Sequence, residues 1–153
     1  MYTSIIPILG WALTILICGL AWRRGGFPER AGSTLVLMAS VIAWIIDITV
    51  SPEWRPTVQL ANDGALGIGL LIVTGLYGSL WLGGALLFQA AQFSLHAYYL
   101  VFRREQDVLH AVVNNINTAG LILCIMTGVV LAWREAARAR NPLARVKLSP
   151  PAP

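Results

Sequence analysis

The chain has 153 residues, 57% hydrophobic and only 12% charged, with 11 Lys and Arg against 7 Asp and Glu for a net charge of +4. Ordinary soluble domains carry about 25% charged residues, so the composition excludes one. The basic excess lacks aromatic-interleaved basic segments. It points to membrane orientation and anionic lipid at the cytoplasmic face, and no nucleic acid is expected as a partner.

A bilayer core takes ~20 apolar residues in helical form. The first such run is 5–22. Met1-Tyr2-Thr3-Ser4 has no positive region and no small-x-small site follows, so this run is expected to stay as a span. It stops at Arg23-Arg24-Gly25-Gly26-Phe27-Pro28-Glu29-Arg30, where Gly-Gly and Pro oppose helix and arginine is costly in hydrocarbon. The second span, 31–50, ends at Ser51-Pro52-Glu53-Trp54-Arg55-Pro56. Residues 57–63 read as a polar connection, with Asn62-Asp63 as an N-cap pair.

Gly64 to Phe102 has no charged side chain. As one helix it would be ~58 Å long, almost twice the hydrocarbon thickness. Tyr77-Gly78-Ser79 is its most turn-like point. The stretch therefore divides into a short span, 64–77, and a full one, 80–101. A charged loop, Arg103 to Asp107, precedes the last span, 108–133. The helix is expected to run on to about Arg140, with a disordered basic and Pro-rich cytoplasmic tail at 141–153.

The fold class that follows is an all-α transmembrane bundle of five spans. Four spans plus a re-entrant segment at 64–77 is the alternative. With five spans, Arg23, Arg24, Arg30, Arg134, Arg138, Arg140, Arg145 and Lys147 share one side against Arg55, Arg103 and Arg104. The positive-inside rule then puts the N-terminus in the periplasm and the tail in the cytoplasm. Trp22, Trp81 and Trp133 fall at the expected cytoplasmic interface, and Tyr2, Trp54, Tyr98, Tyr99 and Phe102 at the other. Helix contacts are expected along Ala65-x-x-x-Gly69, Ser79-x-x-x-Gly83 and Gly120-x-x-x-Cys124-x-x-x-Gly128.

Polar groups converge at one depth. Gln92 and His96 share a face of span four with Gln89 and Tyr99. His110, Asn114 and Asn117 share a face of span five, and Asp47 joins them from span two. Asp47, Gln92, His96, Asn114 and Asn117 are the candidate ligand-binding residues. Three readings stand: a pocket open to the extracytoplasmic side for a small polar ligand, a quinone headgroup or protons; a hydrogen-bonded cluster tying spans together; or a wet interface.

No cofactor is expected. His96 and His110, 14 positions apart, resemble the spacing of axial histidines in b-type cytochromes, but a second histidine pair is lacking. Hydrolase, metalloprotease and nucleotide-binding motifs are absent, and Cys18 and Cys124 sit in apolar runs without metal-ligand spacing.

The loop Gly25-Gly26-Phe27-Pro28-Glu29-Arg30 resembles the Gly-Gly-x-Pro-Glu-Arg loop of small inner-membrane proteins of alphaproteobacteria, with similarity in type around Trp81 and Gln89–His96. The resemblance implies a bacterial inner membrane and supplies no activity. The expected role is non-enzymatic: an accessory or packing subunit of a membrane assembly or a homo-oligomer, with a binding or transport protein as the alternative.

Overall fold

The computed structural model describes residues 5–105 and 107–140, with side chains from Gly10 onward. The tail at 141–153, with Arg145 and Lys147, and Tyr2 lie outside the described residues. Five helices follow in order: α1 (Ile5–Arg24), α2 (Phe27–Thr49), α3 (Arg55–Tyr77), α4 (Leu80–Val101) and α5 (Val108–Ala139). No strand occurs among the described residues. Among the described residues, three helices, α2, α3 and α5, are long and apolar enough to cross a membrane. In α4 the apolar run is interrupted by Gln89, Gln92 and His96.

Successive helices pack side by side, and α1 also meets α5, so the five close into a ring. The interior at one end is apolar. Leu70 of α3, Leu82 of α4 and Ile125 of α5 are less than 2% exposed, and Ile17, Val36 and Val73 join the same cluster.

Two helix starts differ from the sequence expectation. α2 begins at Phe27 rather than Ala31. Pro28 is tolerated in a first turn because its missing N–H would be unpartnered there. The buried Glu29 carboxylate accepts from Gly26 N–H at 2.8 Å. The connection from α1 therefore shrinks to Gly25-Gly26. A Cβ at Gly25 would lie 2.5 Å from both Ala21 O and Glu29 Cβ, so only glycine fits this junction.

The larger correction is α3. It starts at Arg55, not Gly64, and runs unbroken for 23 residues. A helix confined to 64–77 and an N-cap at Asn62-Asp63 are both overturned. The polar residues of 57–63 do not end the helix because they find partners across the α2 interface. Asn62 Nδ2 donates to Ala39 O at 3.1 Å, and Gln59 Nε2 to Ala43 O at 3.2 Å. Such interhelical bonds join helices in an apolar medium.

α3 ends at Tyr77 through Gly78, whose φ of 62° is left-handed and closes the helix with an N–H bond to Thr74 O at 2.8 Å. Small residues then set the α4–α5 approach. A Cβ on Gly84 would meet Cys124 Sγ at 3.0 Å, and Gly120 lies directly over the Phe88 ring. Trp81 is not an interfacial belt residue: it is buried, wedged between Gly32 of α2 and Gly128 of α5. Gly69 packs on Leu35, whereas Gly83 faces open space. At the ends, Trp22 and Trp133 are exposed, and the Arg24 guanidinium lies 5.5 Å from the Trp133 ring.

Candidate functional site

The end of the ring bearing the α2–α3 and α4–α5 connections is hollow. A cavity of about 1000 Å³ lies among α2, α3, α4 and α5. It reaches from Arg55, Arg103 and Glu105 at the connections down to Val36, Phe88 and Leu121. All five sequence candidates, Asp47, Gln92, His96, Asn114 and Asn117, line it.

They do not form one cluster. Gln92 donates through Nε2 to Asn114 Oδ1 and lies 3.3 Å from His96 Nε2. The acid that meets His96 is Asp63, not Asp47: His96 Nδ1 pairs with Asp63 Oδ2. Gln89, buried beneath them, donates to Asp63 O at 3.1 Å and approaches Asp63 Oδ1 at 3.4 Å. Asp47 sits nearer the connections with its side chain 58% exposed. It accepts from Gln59 Nε2 at 3.2 Å and lies 4.0 Å from Arg55 Nε. The cause is the length of α3. Once the helix includes 55–63, Asp63 faces α4 at the level of His96, and Asp47 in the last turns of α2 is left beside the first turns of α3.

With Nδ1 held by the Asp63 carboxylate as donor, His96 Nε2 becomes the acceptor for Gln92. Both Gln92 N–H bonds are then committed, and its Oε1 is left without a partner in a residue that lines the cavity. Oε1 is buried and unpartnered, as are His110 Nε2 and Asn117 Nδ2. His110 and Asn117 are each only 7% exposed. A buried polar atom without a partner costs about 1–3 kcal/mol, so three on one cavity wall are a sizeable local cost. Of the carboxylates deeper in the cavity, Asp63 is taken by His96 and Gln89 and Asp47 by Gln59; Arg55, whose Nε is also buried and unpartnered, lines the mouth with Arg103, Arg104 and Glu105.

The α5 start is fixed by Asp107. Its carboxylate accepts from Tyr99 O–H at 2.6 Å and from His110 N–H at 2.9 Å. These two bonds, the Tyr99 hydroxyl first, hold the Asp107 carboxyl below the usual carboxylate range. The His110 ring stacks on His96 at 5.2 Å and meets the Tyr99 ring edge-on at 4.7 Å.

Asp63, Gln59, Asn62 and Gln89 are the residues the sequence reading left out of the site. A signal for three of them was present. Gln59, Asn62, Asp63 and Leu66 follow the i, i+3, i+4, i+7 spacing of one helical face.

The chain is 35% identical over 89 residues to the high osmolarity signaling protein sho1 of Pyrenophora tritici-repentis, and equally to that of Pyrenophora teres f. teres. The match takes in 58% of this chain, and 30% and 28% of those proteins, so the chain spans less than a third of the length of these curated relatives. No protein-family model matches the chain, and no solved structure matches it.

Proposed function

We propose that this membrane protein is a binding protein whose site is the cavity among α2, α3, α4 and α5, taking a small polar molecule. The observation that carries the reading is the set of buried, unpartnered atoms on one wall: Gln92 Oε1, His110 Nε2 and Asn117 Nδ2. A purely structural hydrogen-bond cluster would have satisfied them. Cavity size is in keeping, since small-molecule sites span about 300–1,000 Å³. The unpartnered wall favours binding over an accessory or packing subunit, the role that small-residue helix faces and the lack of catalytic motifs suggest.

All five helices cross the bilayer in this reading. Its support is the antiparallel ring and the charge distribution, with Arg23, Arg24, Arg30, Arg134 and Arg138 at the end opposite the cavity mouth. That end is cytoplasmic and the mouth is extracytoplasmic. Similarity to proteins named for high osmolarity signalling suits a cavity in contact with external solutes. Haem is outside the reading: two axial histidines must each aim a nitrogen at one iron from opposite sides of a porphyrin, whereas His96 and His110 stack face to face.

Native mass spectrometry after mild detergent extraction tests the proposal. The wild-type protein is expected to carry a bound small molecule that Asn117→Leu loses. Bare wild-type protein under all extraction conditions, together with an Asn117→Leu variant more stable than wild type, would count against binding.

A further inference from the structure

Resting on the reading of the cavity as a binding site, we infer that it is a blind site, entered from one face of the membrane only, for an uncharged molecule bearing hydroxyl or carbonyl groups. The protein then receives a solute without conducting it.

The depth of the cavity comes from α3. Lining residues run from Arg55 to Leu66, about 17 Å of a helix that is about 34 Å long at 1.5 Å per residue. Below Leu66 the ring is filled. Leu70, Leu82 and Ile125 meet from three helices, each less than 2% exposed, and Trp81 fills the gap between Gly32 and Gly128. The polar side chains at this level have local partners. Ser33 Oγ donates to Arg30 O at 3.1 Å, Thr74 Oγ1 to Leu70 O at 2.7 Å and Cys18 Sγ to Ser33 O at 3.3 Å. Among the described residues, no histidine or carboxylate continues the Asp107–Tyr99–His110–His96–Asp63 series until Glu29 near the other face; the thiols of Cys124 and Cys18 lie between. A proton or solute entering from the mouth therefore meets a dry, packed floor.

The class of molecule follows from what remains unpartnered. Gln92 Oε1 accepts, Asn117 Nδ2 donates, and His110 Nε2 does either according to tautomer. These three are on neutral side chains; the fourth such atom, the cationic Arg55 Nε, lies at the mouth, 4.0 Å from Asp47. A charged ligand at their level would lose hydration without a free counter-charge, because Asp63 and His96 are occupied with each other. A hydroxyl both donates and accepts, which matches this wall, while Phe88, Leu66 and Leu121 offer apolar contact to the rest of the molecule.

Thiol labelling from each face of the membrane tests both parts. Ala43→Cys and Asn117→Cys place thiols on the cavity wall, and wild-type Cys124 lies one turn below the Leu121 floor. Membrane-impermeant charged methanethiosulfonates are applied to sealed right-side-out and inside-out vesicles. Neutral hydroxyethyl methanethiosulfonate is compared with them at Asn117→Cys, each rate normalised to that of a free thiol in solution. The expected result is modification of both variants from the α2–α3 connection side only, none at Cys124 from either side, and a neutral reagent at least about tenfold faster at Asn117→Cys. Modification of Asn117→Cys or Cys124 from the opposite side would overturn the blind floor while leaving the cavity standing. Charged reagents as fast as the neutral one would overturn the ligand class. Protection of both variants from every reagent would remove the binding reading itself. The unmutated Cys124 gives the floor measurement without dependence on any variant folding.

Discussion

Replacing Asp63 should be far more damaging than replacing Asp47, although Asp47 is the acid that spacing alone brings to His96. The Asp63 side chain is 13% exposed and the His96 side chain 18%. Asp63→Leu removes the partner of His96 Nδ1 and the weak 3.4 Å contact to Gln89, whose better bond goes to the Asp63 carbonyl and survives. The loss is then one buried donor left without an acceptor, about 1–3 kcal/mol. Asp47→Leu breaks a 3.2 Å bond from Gln59 Nε2, which keeps its bond to Ala43 O, and a 4.0 Å contact to Arg55 between side chains 58% and 39% exposed; at so exposed a site this should cost no more than about 1 kcal/mol. Because apolar replacement of both partners restores balance, the Asp63→Leu/His96→Leu double variant should lie within about 1 kcal/mol of wild type. Reversible unfolding in mixed micelles, followed by tryptophan fluorescence, measures all four proteins. An Asp47→Leu cost equal to that of Asp63→Leu, or a double variant as unstable as the sum of the singles, would refute the pairing.

Gly128→Ala puts a Cβ 2.5 Å from Trp81. It should destabilise by about 1–3 kcal/mol of overpacking, reduced by up to ~1 kcal/mol of helix propensity, with loss of the Trp81 emission signature. Gly83→Ala, where nothing lies within 4 Å, should be neutral or stabilising by up to about 1 kcal/mol in the same unfolding assay. Gly78→Ala forces an L side chain into the left-handed conformation and should lower stability by about 1–2 kcal/mol. The depressed Asp107 carboxyl contributes stability that is complete above its unfolded value near ~4 and lost as pH falls through its lower folded value. Hydrogen exchange of the His110 amide should accelerate on acidification below that range relative to neighbouring amides, and Asp107→Asn should abolish the dependence.

Several features were legible along the chain because their causes are local. The helical break at Gly78 needs only a residue that tolerates left-handed φ within an overlong apolar run. The inward faces of α4 and α5 follow from residue spacing, which places Gln92 with His96 and His110 with Asn117. The start of α3 was not legible in the same way. Asn62 and Asp63 are good N-caps in isolation, and only the Ala39 carbonyl and the His96 ring, each brought by another helix, make them helix-interior residues. Trp81 likewise looks interfacial until Gly32 and Gly128 form its slot.

Composition and periodicity by themselves determined a helical membrane protein with polar side chains gathered toward one end. Tertiary structure decided which acid meets which histidine, that α3 is a full helix, and that the polar end encloses a cavity over a packed floor. The physical reason is that an apolar run is a property of one segment, whereas a buried polar group in a membrane is stable only with a partner. That partner's height is set by the packing of neighbouring helices.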